Sequence, residues 1–449
     1  MQDACGKRHK RGLGGQTQLV LDAAGPAGLE PALMNDVAAE LDRPVTVPGG
    51  IHIASRVRRI KPSPSTAAAD RANSLRRAGR SIVNLVVGEP DFDTPAHIRE
   101  AATRAMNAGA TRYTHMNGTV ELREAIAAKL LRENNLRYGL DEIIATNGAK
   151  SAVYTAFQVT LEPGDGVIVP APYWVSYPDM AIACDGAPVT LACPEEAGFK
   201  LTPAQLAAAI TPRTRWLLIN APSNPTGASY TADELRALGS VLLAHPHVMV
   251  MTDDIYEHIR FDNGRTVHLL EAVPDLRDRC LAVNGVSKTY AMTGWRIGWA
   301  AGPAALIGAM NTMLSQSAGN CCSVSQAAAT AALNGDQSFV AESVATYRAR
   351  RDATVARVNA IPGLSCRAPD GAFYLYINCA GLIGRTTPAG RTLADDTDVV
   401  MFLLDQAGVA LVAGTAYGLS PFVRMSIAAS LDVLEEGCRR MAEAVSVLS

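Results

Sequence analysis

The stretch 280-CLAVNGVSKTYAMTGWRIG-298 joins an apolar run to a lysine, in a chain that otherwise prefers arginine. The run from Leu281 to Val286 has the length and composition of a buried strand, and Lys288 stands just beyond its end. After residue 61 the lysines are Lys129, Lys150, Lys200 and Lys288. A surface in need of positive charge is served by arginine, so Lys288 has two readings. It either snorkels at the surface or does what a guanidinium cannot. A neutral amine attacks a carbonyl carbon and forms a Schiff base, whereas a guanidinium stays protonated.

Outward from this stretch the same alternation recurs from about residue 140. Short apolar runs (143-IIAT-146, 166-GVIVP-170, 216-WLLIN-220, 248-VMVMT-252 and 280-CLAVNG-285) are separated by turn residues and helix-like segments. Continuous apolar strands alternating with helices predict an α/β fold with a largely parallel sheet covered on both faces. In such sheets ligands gather beyond the carboxyl ends of the strands. The residues beyond each run are chemically varied: Gly148-Ala149-Lys150, Tyr173-Trp174, Asn224-Pro225-Thr226-Gly227, Asp253-Asp254-Ile255-Tyr256 and Ser287-Lys288. A glycine turn, an aromatic face, an amide, a carboxylate with a phenol and an amine would share one crevice. From about residue 336 the pattern changes. Helical stretches 338–360 and 432–448 flank strand-like 372-AFYLYIN-378 and 423-VRMSIA-428, which predicts a separate α+β domain.

Bulk properties narrow the field. A chain of 449 residues, 48% hydrophobic and 19% charged, is expected to fold as a globular protein of two domains. A formal net charge of -2 argues against nucleic-acid or anionic-membrane binding, and no apolar run spans a bilayer. Charges in mixed order, as in 347-YRARRDATVARV-358, predict a solvated helix face. The nine cysteines include no Cys-x-x-Cys pair, which suits a reducing cytoplasm and indicates no metal site. Residues 1 to about 50 begin with basic 7-KRHKR-11, lack the apolar core of a secretory signal and read as a mobile extension.

Eight blocks, in order, carry a resemblance over roughly residue 55 to the end: 60-IKPSPS-65, 87-VGEPDFDTP-95, 146-TNGAKSA-152, 171-APYWVSYP-178, 222-PSNPTG-227, 252-TDDIYEH-258, 287-SKTYAMTGWRIG-298 and 423-VRMS-426. The chain resembles the fold-type I pyridoxal-phosphate aminotransferases of class I, nearest to the bacterial aspartate (aspartate/prephenate) aminotransferase branch. The resemblance implies a seven-stranded, mainly parallel sheet between helices in a large domain (residues 91–335), an arm with part of the small domain at 51–90, and a small α+β domain at 336–449.

It also implies roles. Lys288 would bind pyridoxal 5'-phosphate as a Schiff base and then move the proton at the substrate α-carbon. Asp253 would pair with the ring nitrogen, Tyr256 and Asn224 with the ring oxygen, and Trp174 would stack on the ring. The phosphate would rest on the Gly148-Ala149-Lys150 turn with Ser287 and Arg296, joined by Tyr113 from the other subunit of a homodimer with shared sites. Arg424 would clamp the substrate α-carboxylate beside Gly88. Lys150, Ser63 and Ser65 would hold the distal carboxylate of aspartate or glutamate. The partners implied are amino acids and 2-oxo acids. The third position before Lys288, often serine in that family, is Gly285 here, a departure for which Ser287 compensates. Stretch 315-SQSAGNCCSVSQ-326, expected near the partner's site, also departs from the pattern.

Rival readings have less behind them. A Walker loop needs glycine directly before the lysine, where Ser287 stands, and a Ser-x-x-Lys acyl-enzyme needs serine where Gly285 stands. A prephenate or aromatic aminotransferase, a carbon–sulfur β-lyase, and an aminotransferase-like transcriptional regulator are the alternatives within the resemblance.

Overall fold

The computed structural model describes residues 45–47, 50–62, 64–262 and 264–449. The expected extension up to residue 44 and Ser63 lie outside the described residues. Contacts divide the chain between Arg58 and Arg59. On the N-terminal side, Val45–Val47 pairs antiparallel with Ile51–Ile53.

From Arg59 onward the chain is built on a seven-stranded sheet. Its spatial order is Ile143–Thr146, Gly298–Ala301, Cys280–Gly285, Met249–Asp253, Thr214–Asn220, Gly166–Ala171 and Ala187–Ala192. Gly298–Ala301 runs antiparallel to both neighbours, and every other pairing is parallel. The unbroken apolar runs have a direct cause. Successive residues point to opposite faces, and both faces are covered. Leu217, Ile219 and Val250 join one hydrophobic cluster, while Trp216, Leu218 and Met251 join another.

Two strands escaped the sequence pattern. Ala187–Ala192 is an edge strand with no fully buried residue, so it lacks the apolar run of its neighbours. Gly298–Ala301 is four residues long and begins with a glycine whose Cβ would meet the Ala149 nitrogen at 2.2 Å. There the strand must stay bare for the helix Ala149–Thr160 to begin beside it.

A second, three-stranded antiparallel sheet orders Tyr374–Asn378, Phe422–Ser426 and Val412–Ala413. The short strand Val83–Asn84 pairs in parallel with Val409–Ala410, so the segment before residue 90 joins the C-terminal part. The helix Ser338–Asn359 corrects one expectation. Residues 347–358 do not form a wholly solvated face: Tyr347, Arg350, Thr354 and Val358 are buried along one stripe. Their spacing of three and four residues puts them on one side of the helix. Arg350 there grips both carboxylate oxygens of Asp91 at 2.8 Å.

Candidate active site

The strands ending at Asn220, Asp253 and Gly285 deliver their next residues to one cavity of about 410 Å³. Around it stand Lys150, Lys288, Arg296 and Arg424, against the carboxylate of Asp253, with Trp174, Asn224, Tyr256, Ser287, Ala149 and Gly88. Residues up to 358 positions apart in the chain thus meet, and four cations facing one carboxylate prepare the cavity for an anionic ligand.

Lys288 donates from Nζ to the Gly88 carbonyl at 2.6 Å. Burial first, with Arg296 and Arg424 adding repulsion, lowers its pKa to about 8, against the pull of Glu89 and Asp253. A neutral amine is therefore accessible near physiological pH, where an exposed lysine would be almost wholly protonated.

Asp253 lies on the floor. Its Oδ2 accepts from Tyr177 Oη at 2.5 Å and its Oδ1 from the Ile255 amide at 3.3 Å. Burial, with Asp254 adding like charge, raises the carboxyl to about 6 although the Tyr177 hydrogen bond opposes the shift. The neighbouring Asp254 turns away to Thr252 Oγ1 at 2.8 Å and His268 Nε2 at 3.3 Å. Asn220 ties the floor to the wall: its Nδ2 donates to the Asp253 carbonyl at 2.7 Å and its Oδ1 accepts from the Asn224 amide at 2.9 Å.

At one end, the helix Ala149–Thr160 opens without a side-chain cap, unlike the helices capped by Thr119, Thr202 and Thr231. Its first amides are left for an external acceptor. Gly148 precedes them at φ 87, and a Cβ there would stand 2.6 Å from Arg296 Nη2. Arg296 is itself held by the carbonyls of Thr293 at 2.9 Å and Asn147 at 3.3 Å. Turn, helix end and guanidinium form an anion cradle.

At the other end Arg424, only 3% exposed, donates to the Val86 carbonyl at 2.6 Å and to Asn224 Oδ1 at 3.2 Å. Its guanidinium carbon lies 4.5 Å from the Tyr374 ring centroid, and its Nε is buried without a partner. A buried orphan donor costs stability until a ligand satisfies it. Lys150 lies at the mouth with Nζ 4.8 Å from the Trp174 ring centroid.

One expected residue is not brought to the cavity of its own chain. Tyr113 is 97% exposed in the loop between the helices Ala96–Asn107 and Val120–Asn134. Ser65 lies on the helix Pro64–Arg77 with its side chain outside the described residues, and Thr66 of that helix lines the cavity. Four lining residues carry no clear signal in the sequence pattern or only a faint one: Tyr177, Asn220, Tyr374 and Thr66. Tyr374 Oη lies 2.9 Å from Tyr256 Oη, so the phenol chosen from sequence works beside a second. Asn220 alone had a visible signal, a polar residue closing an apolar strand run.

Residues 80–443 match the model of the family described as aminotransferase class I and II. An aspartate aminotransferase of Rhizobium meliloti (strain 1021) is 50% identical over 400 residues, covering 89% of this chain and 98% of its own. An aspartate/prephenate aminotransferase of Cereibacter sphaeroides is 50% identical over 383 residues, covering 85% and 96%. Among solved structures, that of a Rhizobium meliloti aspartate aminotransferase superimposes with a TM-score of 0.87 at 50% identity, over 89% of this chain and all of that one. A Thermus thermophilus aspartate aminotransferase with maleate gives 0.82 at 39% identity, over 87% and 99%.

Proposed function

The chain belongs to the pyridoxal-phosphate-dependent aminotransferases of class I and II, and on that premise we propose that it moves the amino group of aspartate or glutamate to 2-oxoglutarate or oxaloacetate, in alternating half-reactions. The single observation that carries the proposal is the placing of Lys288 between an anion cradle and Arg424 in one cavity. The residues fit the cofactor. The cradle of Gly148, Ala149 and Arg296 suits its phosphate, Trp174 its ring face, Asn224 and Tyr256 its ring oxygen, and Asp253 its ring nitrogen. Ser287, buried at the wall, completes the phosphate end.

When bound, the cofactor supplies an electron sink that takes up the negative charge developing at the substrate α-carbon. The chain's own residues do the rest. Lys288 Nζ would hold the cofactor at its carbonyl carbon and, freed by the substrate amine, would take the α-proton as a neutral base and then deliver it as an acid to the carbon that gains it in the proton shift. Asp253 would hold a proton on the ring nitrogen. Arg424 receives the α-carboxylate with a guanidinium already aimed by Val86 and Asn224. The active unit is a homodimer in which Tyr113, exposed in one chain, reaches the phosphate of the other; a fully active monomer in sedimentation would refute this. The domain limits at residues 51–90, 91–335 and 336–449 belong to the same proposal, and the separate seven- and three-stranded sheets support the last two. Among the described residues no helix is long and apolar enough to cross a membrane. A cytoplasmic location is proposed on the cysteine spacings, which include no Cys-x-x-Cys pair and suit a reducing compartment.

Support for an acidic substrate comes from the names of the relatives and from the maleate, a dicarboxylate, in the Thermus thermophilus structure. Arg424 meets every α-carboxylate, so selection falls to Lys150 at the mouth, with Ser63, Ser65 and the cavity-lining Thr66 as hydroxyl help. Lys150→Ala is expected to lower kcat/KM for aspartate roughly tenfold to hundredfold while changing phenylalanine little, as loss of a charge-assisted contact implies. Equal losses for all donors would place Lys150 at the phosphate instead. A second reading, prephenate as acceptor, is favoured by the Cereibacter sphaeroides relative's name. Donor and acceptor profiling of the purified enzyme, with prephenate included, tests both.

Gly148→Ala is expected to weaken cofactor binding by roughly tenfold to hundredfold. The new Cβ meets the Arg296 guanidinium and the backbone is forced to a strained φ. A fluorescence titration of apoenzyme measures it, and wild-type affinity would remove the glycine turn from the phosphate site.

A further inference from the structure

Behind the cavity wall, ligand atoms of Glu133, Glu257 and His258 gather within 4.8 Å of one another. Such a cluster could hold a cation, and the chain supplies one. Lys129, 1% exposed, places Nζ against Glu257 Oε1, 2.8 Å from Asn134 Oδ1 and 3.5 Å from Glu133 Oε2. Asn134 also donates to Glu257 Oε2 at 2.9 Å. Burial alone would raise the Glu257 carboxyl, yet the charges of Lys129 and His258, with hydrogen bonds from Lys129 and Asn134, hold it at about 2. A buried lysine is an expensive side chain to carry unless it is fully paired.

The contacts of Glu257 give the cluster its direction. Glu257 follows Tyr256 in the turn after the strand Met249–Asp253. It accepts a hydrogen bond from Asn284, a residue of the strand Cys280–Gly285 that leads to Lys288. Its neighbour His258 reaches Thr289 Oγ1 at 3.2 Å, directly after Lys288, and Glu133 Oε2 at 2.9 Å. Two adjacent strand ends, one bearing Asp253 and Tyr256 and the other Lys288, are thus cross-linked through one carboxylate.

We propose that Lys129 is a positioning residue for amino transfer: by fixing Glu257 it locks the turn of Asp253 and Tyr256 to the strand end that presents Lys288. The proposal rests on the assignment of Lys288 as the cofactor lysine. Two variants of the holoenzyme test it. Lys129→Met removes the cation at similar side-chain length, and Asn284→Ala cuts the cross-link while leaving the Lys129–Glu257 ion pair in place. Melting temperature, kcat and KM are measured with the pH midpoint of the bound cofactor's visible absorbance.

Both variants are expected to move that midpoint by about one pH unit and to lower kcat roughly tenfold, with KM within about twofold, as a small misplacement of reacting groups does. A lowered melting temperature with wild-type midpoint and kcat overturns the proposal, since the cluster would then only stabilise the fold. If Lys129→Met yields no folded protein, Asn284→Ala decides by the same two readings. Wild-type enzyme without a visible absorbance band would instead overturn the assignment of Lys288.

Discussion

Lys288→Arg is expected to give a folded protein that transfers no amino groups, with kcat reduced by at least about 10⁴-fold. Arginine preserves the positive charge beside Gly88 and Glu89, so loss of charge would not explain the result. The guanidinium stays protonated at any working pH, and it can neither attack the cofactor's carbonyl carbon nor accept the α-proton. The cavity around Lys288 is tuned for the opposite property, with burial and the neighbouring Arg296 and Arg424 bringing its pKa to about 8. Uptake of cofactor by wild-type apoenzyme should therefore accelerate as pH rises toward 8 and level off above it, as the ammonium gives up its proton. A steady-state assay and a melting curve on the same preparation separate lost chemistry from lost fold. Activity within tenfold of wild type would remove Lys288 from the reaction.

Asp253→Asn should lower kcat by about 10²–10³-fold with little change in KM, because it removes a charge that matters most as the α-carbon gives up its proton. The amide keeps the shape of the carboxylate and still fits between Tyr177 and the Ile255 amide, so the site should stay intact. What disappears is the anion proposed to hold a proton on the ring nitrogen. Burial and Asp254 raise Asp253 to about 6, and a cationic ring nitrogen offsets that penalty only while the carboxylate is present. Asp254→Asn should cost less than about tenfold, since Asp254 already points to Thr252 and His268. Single-turnover rates read both variants. Equal losses would show that the pair acts as a unit and not through Asp253.

Much of this arrangement was legible in the sequence because parallel sheets have a simple grammar. Buried strands appear as apolar runs, and their carboxyl ends hand chemistry to one crevice. Asp253, Asn224 and Lys288 were found that way, and the seven-stranded sheet came from the resemblance. The features that stayed hidden had physical reasons. Gly298–Ala301 is too short to read as a strand, and its first residue is bare because the helix that starts at Ala149 needs its space. Tyr177 and Tyr374 look like core aromatics until Asp253 and Tyr256 are seen beside them. Thr66 lines the cavity but stands among small residues of a helix whose pattern gives no sign of which side faces inward. Lys129 carried the least signal, a lysine in an ordinary helix pattern whose carboxylate partner lies 128 residues away.

Whether Lys288 carries the cofactor is read directly by chemical trapping. Holoenzyme reduced with borohydride, digested and mapped by mass spectrometry should bear the pyridoxyl group on the peptide containing Lys288. A label on Lys150 or Lys129, or no label in a preparation that transfers amino groups, would contradict the assignment of Lys288.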